Sequence, residues 1–389
     1  MPLTLLPERK QPRTQKPTRV HGIHPYFAKF QPNIPGDAIE AFTSPADVVL
    51  DPYCGSGTSL VEALRLGRNA IGVDANPLAC LISRVKVHRI TAVQWRNIDR
   101  HLLLIERAIQ DLHADRIRPD DYSVELPHVV NFETWFEPHV IKELTIIRSL
   151  IDHVSAPRLR DFLDLSLSRI IVSVSNQDTE SRYTRVKKHI ARGHPFRLFA
   201  QTVKSMRESL EEFHVSIPSN VVARIFNHDT RHINFIKKGS VDLIVTSPPY
   251  LNSWDYALYN RFRFVWLRHE IRHYEEVEIG KHLRTLRNGA KELARYRADM
   301  QHCMGQFARV LRPGAHCCIV NADSVVDGRL VGTNQVLIDA GNSVGLKLIK
   351  TRELKVLGPH FGMNASKRTK GLRGVRNVDK QEKLLLFKR

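Results

Sequence analysis

Val48-Val49-Leu50-Asp51-Pro52-Tyr53-Cys54-Gly55-Ser56-Gly57-Thr58 is the stretch whose reading decides the fold. Val48 to Leu50 have the length and branched content of a short buried strand, and they run straight into a loop with two glycines. Beyond the loop, Leu60, Val61, Ala63, Leu64 and Leu66 keep a helical period until Gly67 ends it. Glycines at such a turn let the backbone come close to a ligand and aim amides at it from the helix N-terminus. A second strand over 70–73 ends at Asp74, at the distance from the glycine loop where an acid can bond the ribose hydroxyls of a nucleoside. Asn76-Pro77 then opens another helix, with proline in the first turn where it is tolerated.

A second loop has its own chemistry. Val241, Leu243, Ile244 and Val245 read as a buried strand that Thr246-Ser247-Pro248-Pro249-Tyr250 stops abruptly. The prolines lack N–H donors and have fixed φ, so the Ser247 side chain and nearby carbonyls are held as acceptors. Tyr250 adds a flat face. Such a loop suits a planar, amine-bearing ring such as a nucleobase, although taken alone it is equally a proline-stopped strand with an ordinary turn.

Composition narrows the function classes. The chain has 389 residues, 42% hydrophobic and 25% charged, enough for a full core and more than one domain. A formal net charge of +19 points to a polyanionic partner, nucleic acid first, against a generally basic surface. No apolar run is long enough to span a bilayer and no signal-peptide pattern opens the chain, so a cytoplasmic protein with no membrane partner is expected. The five cysteines form no Cys-x-x-Cys pair, so neither a zinc site nor a disulfide framework is expected, and no metal.

In chain order, residues 1–20 read as a loose basic arm. Residues 91–220 break the strand–helix rhythm with amphipathic helical patterns at Ile98–Leu112, Val140–Val154 and Arg160–Val174, and read as a helical insertion. Within it Arg182, Arg185, Lys187, Lys188, Arg192 and Arg197 run without an acid among Tyr183, His189, His194 and Phe196. Such a run can neutralise phosphates while its aromatics stack on bases, or it can be a solvated loop. Strands return at Val221–Phe226, leading to Asp229, then at Val241–Val245, Cys317–Val320, Leu346–Ile349 and Leu384–Phe387. The aromatics between Trp254 and Trp266 read mostly as core, and Pro313-Gly314 as the stop of a helix presenting Tyr296, Met300, Met304, Phe307 and Leu311 on one face. Basic connections occupy His282–Arg287 and, with Lys367, Arg368, Lys370, Arg373 and Arg376, the C-terminal region.

Residues 51–58 together with 246–250 resemble the paired signature of the S-adenosylmethionine-dependent amino-methyltransferases of DNA, and His24–Pro32 more loosely resembles their additional cofactor motif. The resemblance covers 21–90, 221–325 and the last strand. It implies an α/β, Rossmann-like methyltransferase fold with a seven-stranded, mostly parallel sheet, in which the strands of the two loops are neighbours. A catalytic domain would then comprise 21–90 and 221–389. S-adenosyl-L-methionine is the implied cofactor. Asp51, Tyr53, Gly55, Ser56, Gly57 and Thr58 would surround its methionine part, with Lys29 and Phe30 as further candidates. Asp74, with Ala75 and Asn76, would hold the ribose, and Asp229 would approach the adenine. Ser247 and the Pro248 carbonyl would accept from the target amine, Pro249 would stiffen the loop, and Tyr250 would stack on a base flipped out of the duplex. Serine at the first loop position is commoner among cytosine-N4 enzymes and aspartate or asparagine among adenine-N6 enzymes, so cytosine is favoured over adenine. The motif order makes 91–220 the candidate target-recognition region, unless it only braces the sheet and leaves recognition to 268–292 or 358–378. DNA is the expected partner, with a cognate restriction endonuclease as a further one. Methylation of RNA and a non-catalytic nucleic-acid binder are the competing readings.

Overall fold

The computed structural model describes residues 18–29, 31–118, 121–122, 124–252, 255–280, 289–326, 329–354 and 382–389. Phe30, Trp254, the basic connection at 282–287, the C-terminal basic residues at 367–376 and most of the N-terminal arm lie outside the described residues.

After helix α1 (Asn33–Phe42), the unit β1 (Val48–Asp51), α2 (Thr58–Arg65), β2 (Asn69–Asp74) and α3 (Pro77–Val87) follows the pattern expected from the glycine loop. Asn76 caps α3 by accepting from the Leu78 amide at 2.9 Å. Four helices and a hairpin come next: α4 (Ala92–His113), α5 (Pro138–Asp152), α6 (Pro157–Val174), β3 (Gln177–Thr179) with β4 (Arg182–Arg185), and α7 (His194–Ser216). The strand rhythm resumes with β5 (Ala223–Asn227) and β6 (Val241–Thr246). Short helices α8 (Tyr256–Tyr259), α9 (Arg261–Trp266) and α10 (Ile271–Val277) precede α11 (Gly289–Val310). The chain closes with β7 (Leu311–Ala322), the hairpin β8 (Ser324–Val326) and β9 (Arg329–Val331), α12 (Thr333–Ser343), β10 (Lys347–Glu353) and β11 (Glu382–Lys388).

Seven strands form one sheet in the order β10-β11-β7-β6-β1-β2-β5, with β11 antiparallel to both neighbours and the other pairs parallel. This is the α/β, Rossmann-like methyltransferase fold the resemblance implied. The first three parallel strands step outward from β1, and the chain then returns to its other side with β6. Strand order therefore reverses between β1 and β6, where Val49 pairs with Leu243 and Leu50 with Ile244. Ligands of such sheets lie beyond the carboxyl ends of the strands at this reversal. The glycine loop follows β1 and the proline loop follows β6, so both open there.

The central strands read as continuous apolar runs because both faces are covered. Val49, Leu243, Val245, Leu384 and Leu386 face one core, shared with α1 to α7. Leu50, Ile244, Leu385 and Phe387 face the other, built on α11 and α12. The insertion shares the first core: α6 packs on α3, and Arg84 meets Asp161 between them at 2.7 Å. Arg263 of α9, 1% exposed, donates to the Ser168 carbonyl, Asn260 and Glu180, tying three segments together.

The stop of the helix before β7 differs from the sequence reading. Pro313-Gly314 does not end the helix, which stops at Val310; β7 begins at Leu311 and carries both residues. Leu311 pairs with Val241 and His316 with Leu243, so the extra residues bulge out, with Gly314 at φ 78°. Ladder pairing with β6 outweighs the local stop signal.

Candidate active site

The ends of β1 and β6 are locked together before either loop begins. Asp51, fully buried, accepts from the Thr246 hydroxyl at 2.7 Å and from the Tyr53 amide at 3.2 Å, while its second oxygen has no partner. Burial raises its carboxyl to about 6, held back by the nearby Ser59 hydroxyl and by the bonds from Thr246 and the Tyr53 amide. Ser59 of α2 reaches the Val245 carbonyl at 3.3 Å. The two loops thus share a rigid base and face one cleft.

On the glycine-loop side, the Gly55 amide donates to Asp74 at 2.8 Å and the Asn76 amide to its other oxygen at 2.8 Å. Burial lifts the Asp74 carboxyl to about 6, the two amides oppose the rise, and Asp51 adds to it. The sequence reading expected backbone amides at this turn to point at a ligand. Instead Gly55 bonds Asp74, and Gly57 bonds the Cys54 carbonyl at 2.7 Å. The glycines serve conformation and packing: φ is 47° at Gly55 and 78° at Gly57, and a Cβ on Gly57 would sit 2.8 Å from Ser83 Oγ. The Ser56 side-chain oxygen is buried without a partner, and the Ser56 carbonyl accepts from the buried Lys86 ammonium at 2.7 Å. Lys29 lines the same end and donates to the His21 carbonyl at 3.3 Å; burial, then Arg169, holds its ammonium below the usual range. No side chain caps α2, whose N-terminus opens nearby.

Asp229 also lines the cleft, and Arg231 grips its carboxylate at 2.7 to 3.0 Å while also reaching Asp299 at 2.7 Å. Burial pushes the Asp229 carboxyl up, but the Arg231 bonds outweigh it and leave the group below its ordinary value.

The proline loop forms the facing wall. Tyr296 of α11 donates to the Pro249 carbonyl at 3.2 Å, which fixes the loop from behind. Gly280, at φ 68°, approaches so closely that a Cβ would lie 3.3 Å from the Tyr250 carbonyl, and the Asn252 amide bonds the Gly280 carbonyl at 2.9 Å. Ser247 donates to the Tyr250 hydroxyl at 3.3 Å, which meets Glu382 at 3.4 Å. Burial, then the nearby Glu382 charge, pushes the Tyr250 phenol well above its ordinary value.

Of the residues proposed from sequence, Lys29, Tyr53, Gly55, Ser56, Thr58, Asp74, Ala75, Asp229 and Ser247 to Tyr250 line the cleft. Asp51, Gly57 and Asn76 are not among the lining residues; they sit behind it as brace, turn and helix cap. Sequence reasoning missed Tyr26, Tyr256, Tyr274 and Glu278, which also line the cleft. Tyr26 and Tyr256 stack with centroids 5.6 Å apart, and Tyr274 donates to Glu278 at 3.0 Å. Tyr256 lay in the aromatic stretch read mostly as core; Phe262, Phe264 and Trp266 are core, and no periodicity separates them from Tyr256. The basic run lies elsewhere, on β4, the connection to α7 and the first turn of α7. Arg182, Arg185, Lys187, Arg192 and Arg197 are exposed, whereas Lys188 reaches the Val172 carbonyl at 2.7 Å. Tyr183, expected to be available for stacking on bases, instead stacks on Trp135 at 4.8 Å and Phe262 at 5.5 Å, and Phe196 packs on the core.

The family model described as DNA methylase of the N6/N4 type matches residues 5–84. The Type II methyltransferase M.MjaII of Methanocaldococcus jannaschii is 23% identical over 348 residues, covering 68% of this chain and 65% of that one. The Type II methyltransferase M.MvaI of Kocuria varians is 24% identical over 273 residues, covering 62% of this chain and 55% of that one. The matches thus span between about half and two thirds of these relatives' own length. Among solved structures, a geranyl diphosphate methyltransferase in complex with SAM covers 92% of this chain and 84% of its own, at 10% identity and a TM-score of 0.37. With the glycine loop and the proline loop joined at one sheet reversal, the chain is similar to the DNA methylases of the N6/N4 type.

Proposed function

We propose that the chain is a site-specific DNA methyltransferase that moves a methyl group from S-adenosylmethionine to the exocyclic N4 amine of cytosine in a flipped-out base. The observation that carries this reading is the single cleft in which Ser247 and Pro248 face the Gly55–Thr58 loop and Asp74.

The residues on the cofactor side fit such a group. Asp74 keeps acceptor capacity beyond the two amides it binds, because a carboxylate has about four lone-pair sites, and ribose hydroxyls can use the rest. The unpartnered Ser56 hydroxyl, the Lys29 ammonium and the open N-terminus of α2 suit the charged methionine end. Asp229, though gripped by Arg231, lines the end where the adenine amine would lie. S-adenosylmethionine would supply a methyl already activated by its sulfonium charge.

The protein's task on the target side is positioning. A cytosine amine is a poor nucleophile because its lone pair is delocalised into the ring. Acceptors that bond its N–H groups favour a pyramidal nitrogen and aim the lone pair across the cleft. Ser247 and the Pro248 carbonyl supply these acceptors, and the Tyr250 ring supplies a stacking face. The amine is inaccessible inside a duplex, so the base must leave the stack. The exposed arginines and lysines of 182–197 are proposed to hold the DNA backbone meanwhile. Calorimetric titration with S-adenosylmethionine, followed by transfer of labelled methyl to plasmid DNA, tests the proposal. Binding with transfer supports it. A protein that binds no cofactor and labels no DNA refutes it.

A further inference from the structure

At the target wall, two side chains of the proline loop and one from a distant part of the chain are joined by successive hydrogen bonds. Ser247 Oγ lies 3.3 Å from the Tyr250 hydroxyl, which lies 3.4 Å from Glu382 Oε1, although 132 positions separate the last two residues. Glu382 opens β11, where it pairs with Ala322 of β7, and its carbonyl accepts from the Leu354 amide at 2.8 Å. Its backbone is therefore fixed from both sides.

We infer that Glu382 is a positioning residue that sets the direction of this hydrogen-bond chain, makes Ser247 an obligate acceptor, and thereby selects an amine-bearing base over a keto base. The inference rests on the proposed base-methylation reading. An ionised carboxylate has no proton to give, so the Tyr250 hydroxyl must donate to it. A phenol has one proton, so its oxygen can only accept from Ser247. The Ser247 proton is then committed, and only lone pairs remain to face the cleft. An exocyclic NH2 finds its acceptor there, whereas the oxygen of thymine or guanine meets lone pairs at the same place. A prolyl carbonyl next to Ser247 has the same polarity without any relay.

Ionisation of Glu382 keeps the chain pointing one way. Once protonated, the carboxyl can donate to the Tyr250 oxygen and reverse the line, which lets Ser247 turn a proton toward the target. Among the described residues, the ionisable groups nearest Glu382 along these elements include Tyr250 on the loop, Lys383 on β11, Arg352 and Glu353 on β10, and Asp323 after β7. Burial raises the Glu382 carboxyl above its ordinary value and the bond from Tyr250 opposes the rise.

The test uses the full-length protein and variants Glu382→Gln, Tyr250→Phe, Ser247→Ala and the double variant Ser247→Ala with Glu382→Gln. Glutamine can either accept from or donate to the phenol, so it unfixes the direction without removing the side chain. We expect Glu382→Gln to lower kcat about tenfold, to leave KM for DNA near wild type, and to abolish the acid limb of the kcat profile. Tyr250→Phe should do the same while keeping the stacking ring. In the Ser247→Ala background, Glu382→Gln should add nothing. Independently of activity, alkaline difference titration of Tyr250, read against Tyr250→Phe, should show its phenol ionising at lower pH in Glu382→Gln. A wild-type kcat and acid limb in Glu382→Gln, or additive losses in the double variant, would overturn the inference. An inactive wild type would sink the methyltransferase reading instead; even then, an unchanged Tyr250 titration in Glu382→Gln would overturn the relay.

Discussion

Asp51 and Asp74 show how single residues carry opposed demands. Both carboxyls rise to about 6 in the fold, above the ordinary aspartate value of about 4. Between these values the folded chain holds protons that the unfolded chain has released. Their contribution to stability is therefore complete below about pH 4 and is lost as pH climbs through 6. We expect chemical-denaturation stability to fall over that window, and Asp51→Asn to flatten the fall by on the order of 1–3 kcal/mol. A second pair of variants separates the two halves of the cleft. Asp74→Ala should weaken cofactor affinity at least tenfold by calorimetry, whereas Tyr250→Ala should leave that affinity within about twofold and cut methyl transfer strongly. Asp74 and Ser247 were legible in the sequence because each sits in a motif beside its strand. The bracing role of Asp51 was not, since burial depends on Thr246, distant in the chain. Glu382 was invisible for the same reason: no local pattern places it beside Tyr250.

Elements follow their local patterns where those patterns agree with the ladder. β1, β6 and β11 read correctly as buried strands because alternate residues enter two apolar cores. The boundary at 310–311 did not, because pairing between β6 and β7 is a long-range property that no stop signal at Pro313-Gly314 reports. Close packing of β2 against α2 makes a sharp test at this scale. A Cβ on Gly72 would lie 2.7 Å from Leu60 Cδ1 and 3.1 Å from Cys54 Sγ. Gly72→Ala must therefore displace the Leu60 side chain and crowd Cys54, and it should cost roughly 1–3 kcal/mol in thermal unfolding. It should also weaken cofactor binding, because Cys54 begins the loop.

Across the whole molecule, the +19 charge and the fused insertion belong together. The insertion was legible as helical, but its union with the catalytic sheet through one core was not, because helix periodicity does not reveal the partner face. The basic run was legible as charge, whereas Tyr183 proved to be an anchor in an aromatic cluster. Among the described residues no helix is long and apolar enough to cross a membrane. If the run holds the DNA backbone, replacing Arg185, Lys187 and Arg192 by alanine should lower affinity for all duplexes alike. The salt slope of binding should fall by about one for each phosphate that is no longer neutralised, while S-adenosylmethionine affinity stays unchanged.

The central claim is that Ser247 and Pro248 receive a cytosine amine opposite the cofactor side of the cleft. Nucleoside mass spectrometry of genomic DNA after incubation with the protein and labelled S-adenosylmethionine tests it most directly. The account predicts labelled N4-methylcytosine as the product. N6-methyladenine alone would contradict the cytosine assignment, and absence of any methylated base in DNA from a cofactor-binding protein would contradict the account itself.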